Sequence, residues 1–290
     1  MINIFSENYP ELLKQLHKPP SLNCKGNLDI LEKISIAIVG TRFNSEYGEY
    51  VTEKLVEELS VIDINIVSGL ARGIDTIAHK AALKNGLSTI AVLGSGLRNI
   101  YPKENNELAL EITKNGLLVS EYSENSAPIK MNFPERNRII SGLSVATIVI
   151  EAPDKSGALI TADFALDQGR EVFVVPGDID RPTSGGILKL LQKSAAYPIS
   201  SGQEIIEILK VQPPLFKENN INKDMTNKLI NYRLNFDEST VLKLITKRGI
   251  DLDKIIITSK LPINRVLSAL SLLEIKELIS TRGDKYKLYA

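Results

Sequence analysis

The sequence predicts a Rossmann-like, doubly wound α/β domain with a mostly parallel sheet, followed by a small winged-helix domain. Three observations carry this. Six short apolar runs recur between Ile34 and Gly177: ISIAIVG, NIVSG, STIAVLG, GLLVSEY, ATIVIEA and EVFVVPG. Stretches of helical period separate them, and continuous apolar strands alternating with amphipathic helices imply a parallel sheet covered on both faces. Past residue 235 the pattern changes to three helical segments and a closing hairpin.

Taken in order, residues 1–33 carry several prolines and no sustained period. YPELLKQL reads as a short helix and PPSLNCKGNL as turn and edge strand, so this segment is expected to be an extension packed on the main domain. The Rossmann-like domain is expected over 34–210. Its helices are SEYGEYVTEKLVEELS, IDTIAHKAALKNG, NNELALEITKNG, the segment from Arg136 to Ser144, and SGALITADFALDQG. Residues 211–235, with two prolines and several Asn, read as a linker longer than most loops inside a compact domain. Residues 236–290 form the expected winged helix, with Gly283-Asp284 at the hairpin turn.

With 290 residues, 43% hydrophobic and 24% charged, the chain has room for one large and one small core. Lys+Arg 35 balance Asp+Glu 35, so a polyanion must be met by a local patch rather than by the overall field. A lone Cys24 excludes an intramolecular disulfide framework, and with only His17 and His79 no Cys/His zinc cluster can be assembled. No cofactor is expected. The start, MINIFSENYP, has no basic region followed by an apolar one, and no apolar run approaches the roughly 18 residues of a membrane span. A reducing cytoplasm fits these features.

In open α/β sheets ligands sit beyond the carboxyl ends of the strands. There the sequence reads GTR (Gly40 to Arg42), SGLARGID (Ser68 to Asp75), GSGLRNIYP (Gly94 to Pro102), SEY (Ser120 to Tyr122), EAPDKSGALITA (Glu151 to Ala162) and PGDIDRPTSGG (Pro176 to Gly186). Small residues let a ligand approach the backbone, and helix starts near Ser45, Gly73 and Ser156 offer free N–H groups to anions. Glycine also closes tight strand-to-helix turns with no ligand at all.

The stretch KMNFPERNRIISGLS, Lys130 to Ser144, stands out. It places Lys130, Arg136 and Arg138 around Phe133, with Asn132 and Asn137 as extra hydrogen-bonding groups. Cations meet phosphates and a ring stacks on any base, so the set suits single-stranded nucleic acid. The same residues also fit packing, with the arginines paired to carboxylates such as Glu135 and Phe133 in the core.

Enzyme motifs are weak. GSGLRN has Asn99 where a dinucleotide fingerprint needs its third glycine, and it follows the third strand instead of the first. No G-x-x-x-x-G-K-[ST] loop and no G-x-S-x-G elbow occur. Asp75 and Glu151 sit where general bases could stand, yet a helix cap or a pair with Arg72 accounts for Asp75 equally well. His79 reads as a structural histidine.

VGTR, SGLARGID, AVLGSGL followed by IYPKEN, LVSEY, FPERNRIISGLS, SGALITA and REVFVVPGDID, in this order, resemble the DNA-processing protein A family (DprA or Smf). YPELL, PP and KGNL resemble its lead-in. The resemblance implies a homodimeric, single-stranded-DNA-binding recombination mediator, not an enzyme, which protects incoming strands and loads the RecA recombinase on them during natural transformation. It assigns Arg42 to a phosphate, Lys130 to the backbone and Phe133 to a base face. Arg136 and Arg138 would line the same groove, with Ser68 and Gly69 letting the strand approach. Ser184 to Ile187, followed by Ser194 and Ala195, departs from the family's S-G-x-N and G-A, which puts that loop in doubt as a binding element.

Two further expectations concern partners. Ile205, Ile206 and Leu209 share a stripe on SGQEIIEIL, a helix with no following strand, and are candidates for a homodimer contact. Between Arg233 and Ala290, 11 Lys/Arg stand against 7 Asp/Glu, so the winged helix suits either duplex DNA or a protein partner. The alternatives to a mediator are a phosphoribohydrolase-like nucleotide enzyme, whose P-G-G-x-G-T-x-x-E is replaced here by PGDIDRPTSGG, and a winged-helix DNA-binding regulator.

Overall fold

The computed structural model describes residues 1–211, 236–245, 249–259, 261–276, 278–282 and 285–288. The chain divides into two compact units, Met1–Val211 and Gln212–Ala290. All of the expected linker but Val211, and the Gly283-Asp284 turn, lie outside the described residues.

The first unit is built on eight strands: β1 (Asn23–Gly26), β2 (Ser35–Val39), β3 (Asn65–Ser68), β4 (Ser88–Val92), β5 (Leu117–Ser120), β6 (Ala146–Val149), β7 (Glu171–Val174) and β8 (Tyr197–Pro198). They lie in the order β1-β5-β4-β3-β2-β6-β7-β8. Every pairing is parallel except β1 against β5, where the N-terminal segment closes the sheet edge. The chain leaves β2 toward β3 on one side, and returns later to place β6 on the other. The carboxyl ends of β2 and β6 therefore flank the switch point, where the connecting loops diverge and leave a crevice.

Helices α1 (Glu11–Lys14), α2 (Glu46–Leu59), α3 (Ile74–Lys84), α4 (Asn106–Asn115), α5 (Asn132–Gly142), α6 (Gly157–Asp167), α7 (Gly185–Gln192) and α8 (Gly202–Leu209) cover the sheet. All five residues of β2 are buried, and alternate residues serve opposite faces. Ile36 and Ile38 pack with Leu55 of α2 and Ile74 of α3. Ala37 and Val39 pack with Ile139 of α5 and Ala162 of α6, and Leu13, Leu16 and Leu22 of the N-terminal segment join this second core.

Two sequence expectations change. The helix expected from Arg136 starts earlier, at Asn132, so Phe133 belongs to its first turn. Pro134 does not prevent this, because first-turn N–H groups have no intrahelical acceptor for a proline to forfeit. The expected dimer stripe on α8 is corrected. Ile205 is fully buried and Ile206 nearly so, and Leu209 is half-buried against the same core. Among the described residues of the first unit no strand follows α8, but α2 supplies the cover: Gly202 N donates to Glu58 Oε2 at 2.6 Å, and a Cβ at Gly202 would lie 2.9 Å from Glu58 Cβ. Burial within the chain avoids the translational and rotational cost of recruiting a partner.

The second unit holds α9 (Phe236–Leu244), β9 (Ile250–Asp251), α10 (Leu252–Ser259), α11 (Ile263–Ile275), β10 (Ile279–Arg282) and β11 (Lys285–Leu288). Its antiparallel sheet runs β10-β11-β9, over its own core of Val241, Leu242, Ile255, Val266, Leu270 and Leu273. No single helix among the described residues is long and apolar enough to cross a membrane.

Candidate nucleic-acid interface

A groove of about 730 Å³ opens at the switch point. The turn after β2 supplies Arg42 and Phe43, the loop before α5 supplies Lys130, the first turn of α5 supplies Phe133, and the loop after β6 supplies Lys155. Arg42, Lys130 and Lys155 are exposed, and none has a hydrogen bond or ion pair from its side chain among the described residues. These are three unspent cations around one cleft in a chain of zero net charge. Phe133 is half-buried. Its ring rests on bare backbone, since a Cβ at Gly94 would fall 2.8 Å from Phe133 Cδ1. Tyr101 leans on it at 5.5 Å between centroids, tilted by 54°, and the guanidinium carbons of Arg42 and Arg136 each lie 5.9 Å from its centre.

The structure separates the expected cations by what they already bond. Arg136 lines the groove floor yet is 3% exposed. Its guanidinium donates to Gly69 O at 2.9 Å, to Val92 O, and to Asn137 Oδ1 at 3.2 Å, while Asn137 Nδ2 reaches Gly157 O at 3.2 Å. Arg136 thus ties the ends of β3 and β4 to α5, and through Asn137 to the start of α6. Burial pushes its pKa down to about 10, against the opposing pull of Asp75. Asp75 is also buried, and accepts from Gly69 N at 3.1 Å and Ala71 N at 3.3 Å. Burial raises its carboxyl pKa, and Arg136 and the two N–H groups hold it down. Its partner is therefore Arg136; Arg72 pairs with Glu104.

Two expected contacts are corrected. Arg138 does not line the groove: it is held by Glu121 and by Lys18 O at 3.1 Å, with a side chain 19% exposed. Ser68 is fully buried, and its Oγ donates to Ile38 O at 2.7 Å, which leaves no surface for a strand. Gly69 remains at the site through its backbone, where a Cβ would meet Arg136 Nη2 and Asp75 Oδ2 at 2.7 Å.

Glu151 is spent as well. Oε2 accepts from Ser45 N at 2.9 Å, and Oε1 accepts from Ser45 Oγ at 2.6 Å and Thr183 Oγ1 at 3.0 Å. It fills the N-terminus of α2, so that helix start is closed to an outside anion. His79 is fully buried. Its Nδ1 lies 2.7 Å from Thr89 Oγ1, which itself donates to Ile66 O, so Nδ1 carries the proton. Nε2 has no hydrogen-bond partner among the described residues, and burial, with Arg136 nearby, lowers the pKa to about 3. A neutral structural histidine results.

Three groove residues escaped sequence reasoning: Phe43, Tyr101 and Lys155. Tyr101 and Lys155 lie within strand-end segments rich in small residues and Phe43 directly follows one, and Lys155 precedes the N-cap Ser156 of α6, which is the one signal that could have singled it out.

A family model described as DNA recombination-mediator protein A matches residues 1–210. The chain belongs to this family. DNA processing protein DprA of Bacillus subtilis is 46% identical over 210 residues, spanning 72% of this chain and 70% of the relative. Protein Smf of Escherichia coli is 47% identical over 208 residues, spanning 71% and 55%. Among solved structures, DprA from Streptococcus pneumoniae superposes with a TM-score of 0.69 at 44% identity, covering 71% of this chain and 72% of that one. DNA processing protein A from Helicobacter pylori, whose structure is described as showing a unique single-stranded DNA binding mode, gives 0.65 at 36% identity and covers 71% and 94%. The family match ends at residue 210, at the end of the first unit.

Proposed function

We propose that this chain is a single-stranded DNA-binding recombination mediator that uses the groove at the switch point. The observation that carries the reading is the trio of unspent cations, Arg42, Lys130 and Lys155, around the half-buried ring of Phe133. Phosphates follow the cations and one base stacks on the ring. The single-strand binding described for the Helicobacter pylori relative supports this assignment. A binding role fits better than chemistry, because Asp75 and Glu151, the two carboxylates weighed as general bases, are both committed to internal donors.

The wider role follows from the family. The protein acts in the cytoplasm, holds incoming strands during natural transformation and presents them to RecA. It works as a homodimer through a surface other than the buried stripe of α8. The second unit, with three helices and a three-stranded antiparallel sheet among its described residues, is a winged helix that contacts duplex DNA or a protein partner.

The test is a competition between single-stranded and duplex DNA of equal length at fixed salt. Preference for the single strand is expected, with a log–log salt slope near about −2 for three phosphate contacts at roughly 0.7 each. Preference for duplex, or an affinity indifferent to salt, overturns the reading.

A further inference from the structure

Part of the groove wall is the start of α6, where Ser156, Gly157, Ala158 and Thr161 all line it, with Lys155 just before them. Two features there have no role in the fold. Gly157 is the first residue of α6, yet its φ is not positive and a Cβ on it would meet nothing within 4 Å, so neither the backbone nor packing calls for glycine. Thr161, one turn further on, is 1% exposed and lines the groove, and its hydroxyl makes no hydrogen bond among the described residues. A helical threonine often gives its hydroxyl to the carbonyl four residues back. Thr52 of α2 does so, to Gly48 O at 2.6 Å. For Thr161 that carbonyl is Gly157 O, which accepts instead from Asn137 Nδ2 at 3.2 Å.

The same chain shows what such a helix start accepts. At α2 the N-cap is Ser45, and the first-turn Gly48 makes room for the Glu151 carboxylate that takes Ser45 N and Ser45 Oγ. At α6 the N-cap is again a serine, Ser156, and a glycine again stands in the first turn. Here Ala158 N is met only by Ser156 Oγ at 3.2 Å, and no carboxylate reaches these N–H groups among the described residues.

The donors limit the occupant. The first-turn N–H groups of α6, the Lys155 ammonium and the Thr161 hydroxyl suit an anion with several acceptor oxygens, at the favourable end of the helix dipole. The floor limits it further. Val39, Ile140 and Thr161 are 3%, 1% and 1% exposed, so the groove is blind beneath α6 and a group that enters here must end there. An internal phosphodiester has to leave on both sides. A phosphomonoester ends the chain, and carries three acceptor oxygens and a charge of about −1.5 to −2 near pH 7.

We propose that the start of α6 is a phosphomonoester pocket, which takes the terminal phosphate of a single strand or of a free nucleotide. The proposal rests on the reading of the groove as a single-strand site and adds selectivity for a phosphorylated end. Cations along the rim attract every phosphate alike, so a preference for the monoester reports the pocket and not the rim.

The experiment compares dT octamers with a 5′-phosphate, with a 3′-phosphate and with hydroxyls at both ends, at one salt concentration, in the parent, Gly157→Ala and Thr161→Val. A Cβ at Gly157 meets no neighbour, and valine keeps the volume of threonine, so both variants are expected to fold. The parent is expected to bind an octamer with a terminal phosphate about tenfold more tightly than the one without, the lower end of what a hydrogen bond to a charged group contributes. In each variant that ratio falls toward one. Thymidine 5′-monophosphate, titrated alone, separates the two sources. A preference among octamers that both variants abolish identifies a strand end, and binding of the mononucleotide that both abolish identifies a free nucleotide. Equal binding of the three octamers, together with no binding of the mononucleotide, overturns the pocket while leaving the groove standing. So does either signal if it survives in the folded variants. Failure of the parent to bind any octamer or the mononucleotide overturns the groove and the pocket together.

Discussion

Two corners of the same sheet edge are made from similar material and do opposite things. At one, the N-terminus of α2 meets Glu151, whose carboxylate takes Ser45 N, Ser45 Oγ and Thr183 Oγ1. Gly48 leaves room for it, since a Cβ there would sit 2.3 Å from Glu151 Oε2. At the other, Arg42, Lys130 and Lys155 line the groove with Phe133, and among the described residues none of the three side chains makes a hydrogen bond or ion pair. The first corner is closed by its own chain and the second is left open. Small residues at strand ends therefore mark where a ligand could come close, and only the bookkeeping of donors and acceptors tells whether one is needed.

The comparison breaks most severely at the floor of the open corner. Replacing Arg136 by Ala leaves Asp75 buried without its cation and Gly69 O and Val92 O without a donor. Urea unfolding should show a loss of about 3–5 kcal/mol. A loss under about 1 kcal/mol would place Arg136 among dispensable surface cations.

Behind that floor, His79 makes stability acid-sensitive. Its folded pKa, about 3, lies below the 6.5 of an ordinary imidazole, so the neutral form is favoured on folding. The stabilising term is complete above pH 6.5 and is lost as pH falls from 6.5 toward 3, by about 1.4 kcal/mol per pH unit for one proton. His79→Met should unfold with a shallower pH dependence in this window; an identical profile removes His79 as the cause.

The closed and open corners then separate in a paired experiment. Glu151→Ala leaves Ser45 N and two hydroxyls unsatisfied and should cost about 1–3 kcal/mol of stability, while the folded variant keeps its affinity for single strands. Arg42→Ala should do the reverse. Its stability stays within about 0.5 kcal/mol, and its log–log salt slope becomes shallower by about 0.7. If both variants bind like the parent, the open corner is not the DNA site.

Much of the fold was legible in local pattern. The six apolar runs became β2 to β7, because a strand buried on both faces leaves a continuous apolar signature. The site was legible only in part. Arg136, Arg138 and Lys130 read alike in KMNFPERNR, yet the first is buried under the sheet edge, the second is held by Glu121, and the third makes no hydrogen bond or ion pair among the described residues. Helical geometry sends residues two apart to different sides, but which side meets the groove depends on how α5 lies on the sheet. The stripe of α8 misled for a related reason: its amphipathic period was correct, and its covering surface, α2, is more than 140 residues away in the chain.

The sequence by itself determined the layered α/β class, the order of strands and helices, and the small residues at the strand ends, because these follow from periodicities of two and 3.6 residues and from turn chemistry. Only the tertiary structure decided which charges are spent. Whether an arginine holds the fold or waits for a phosphate depends on carbonyls and carboxylates brought from distant segments, as Gly69 and Val92 are brought to Arg136. A buried polar group must find its partners inside the chain, whereas an exposed one is free to find them outside.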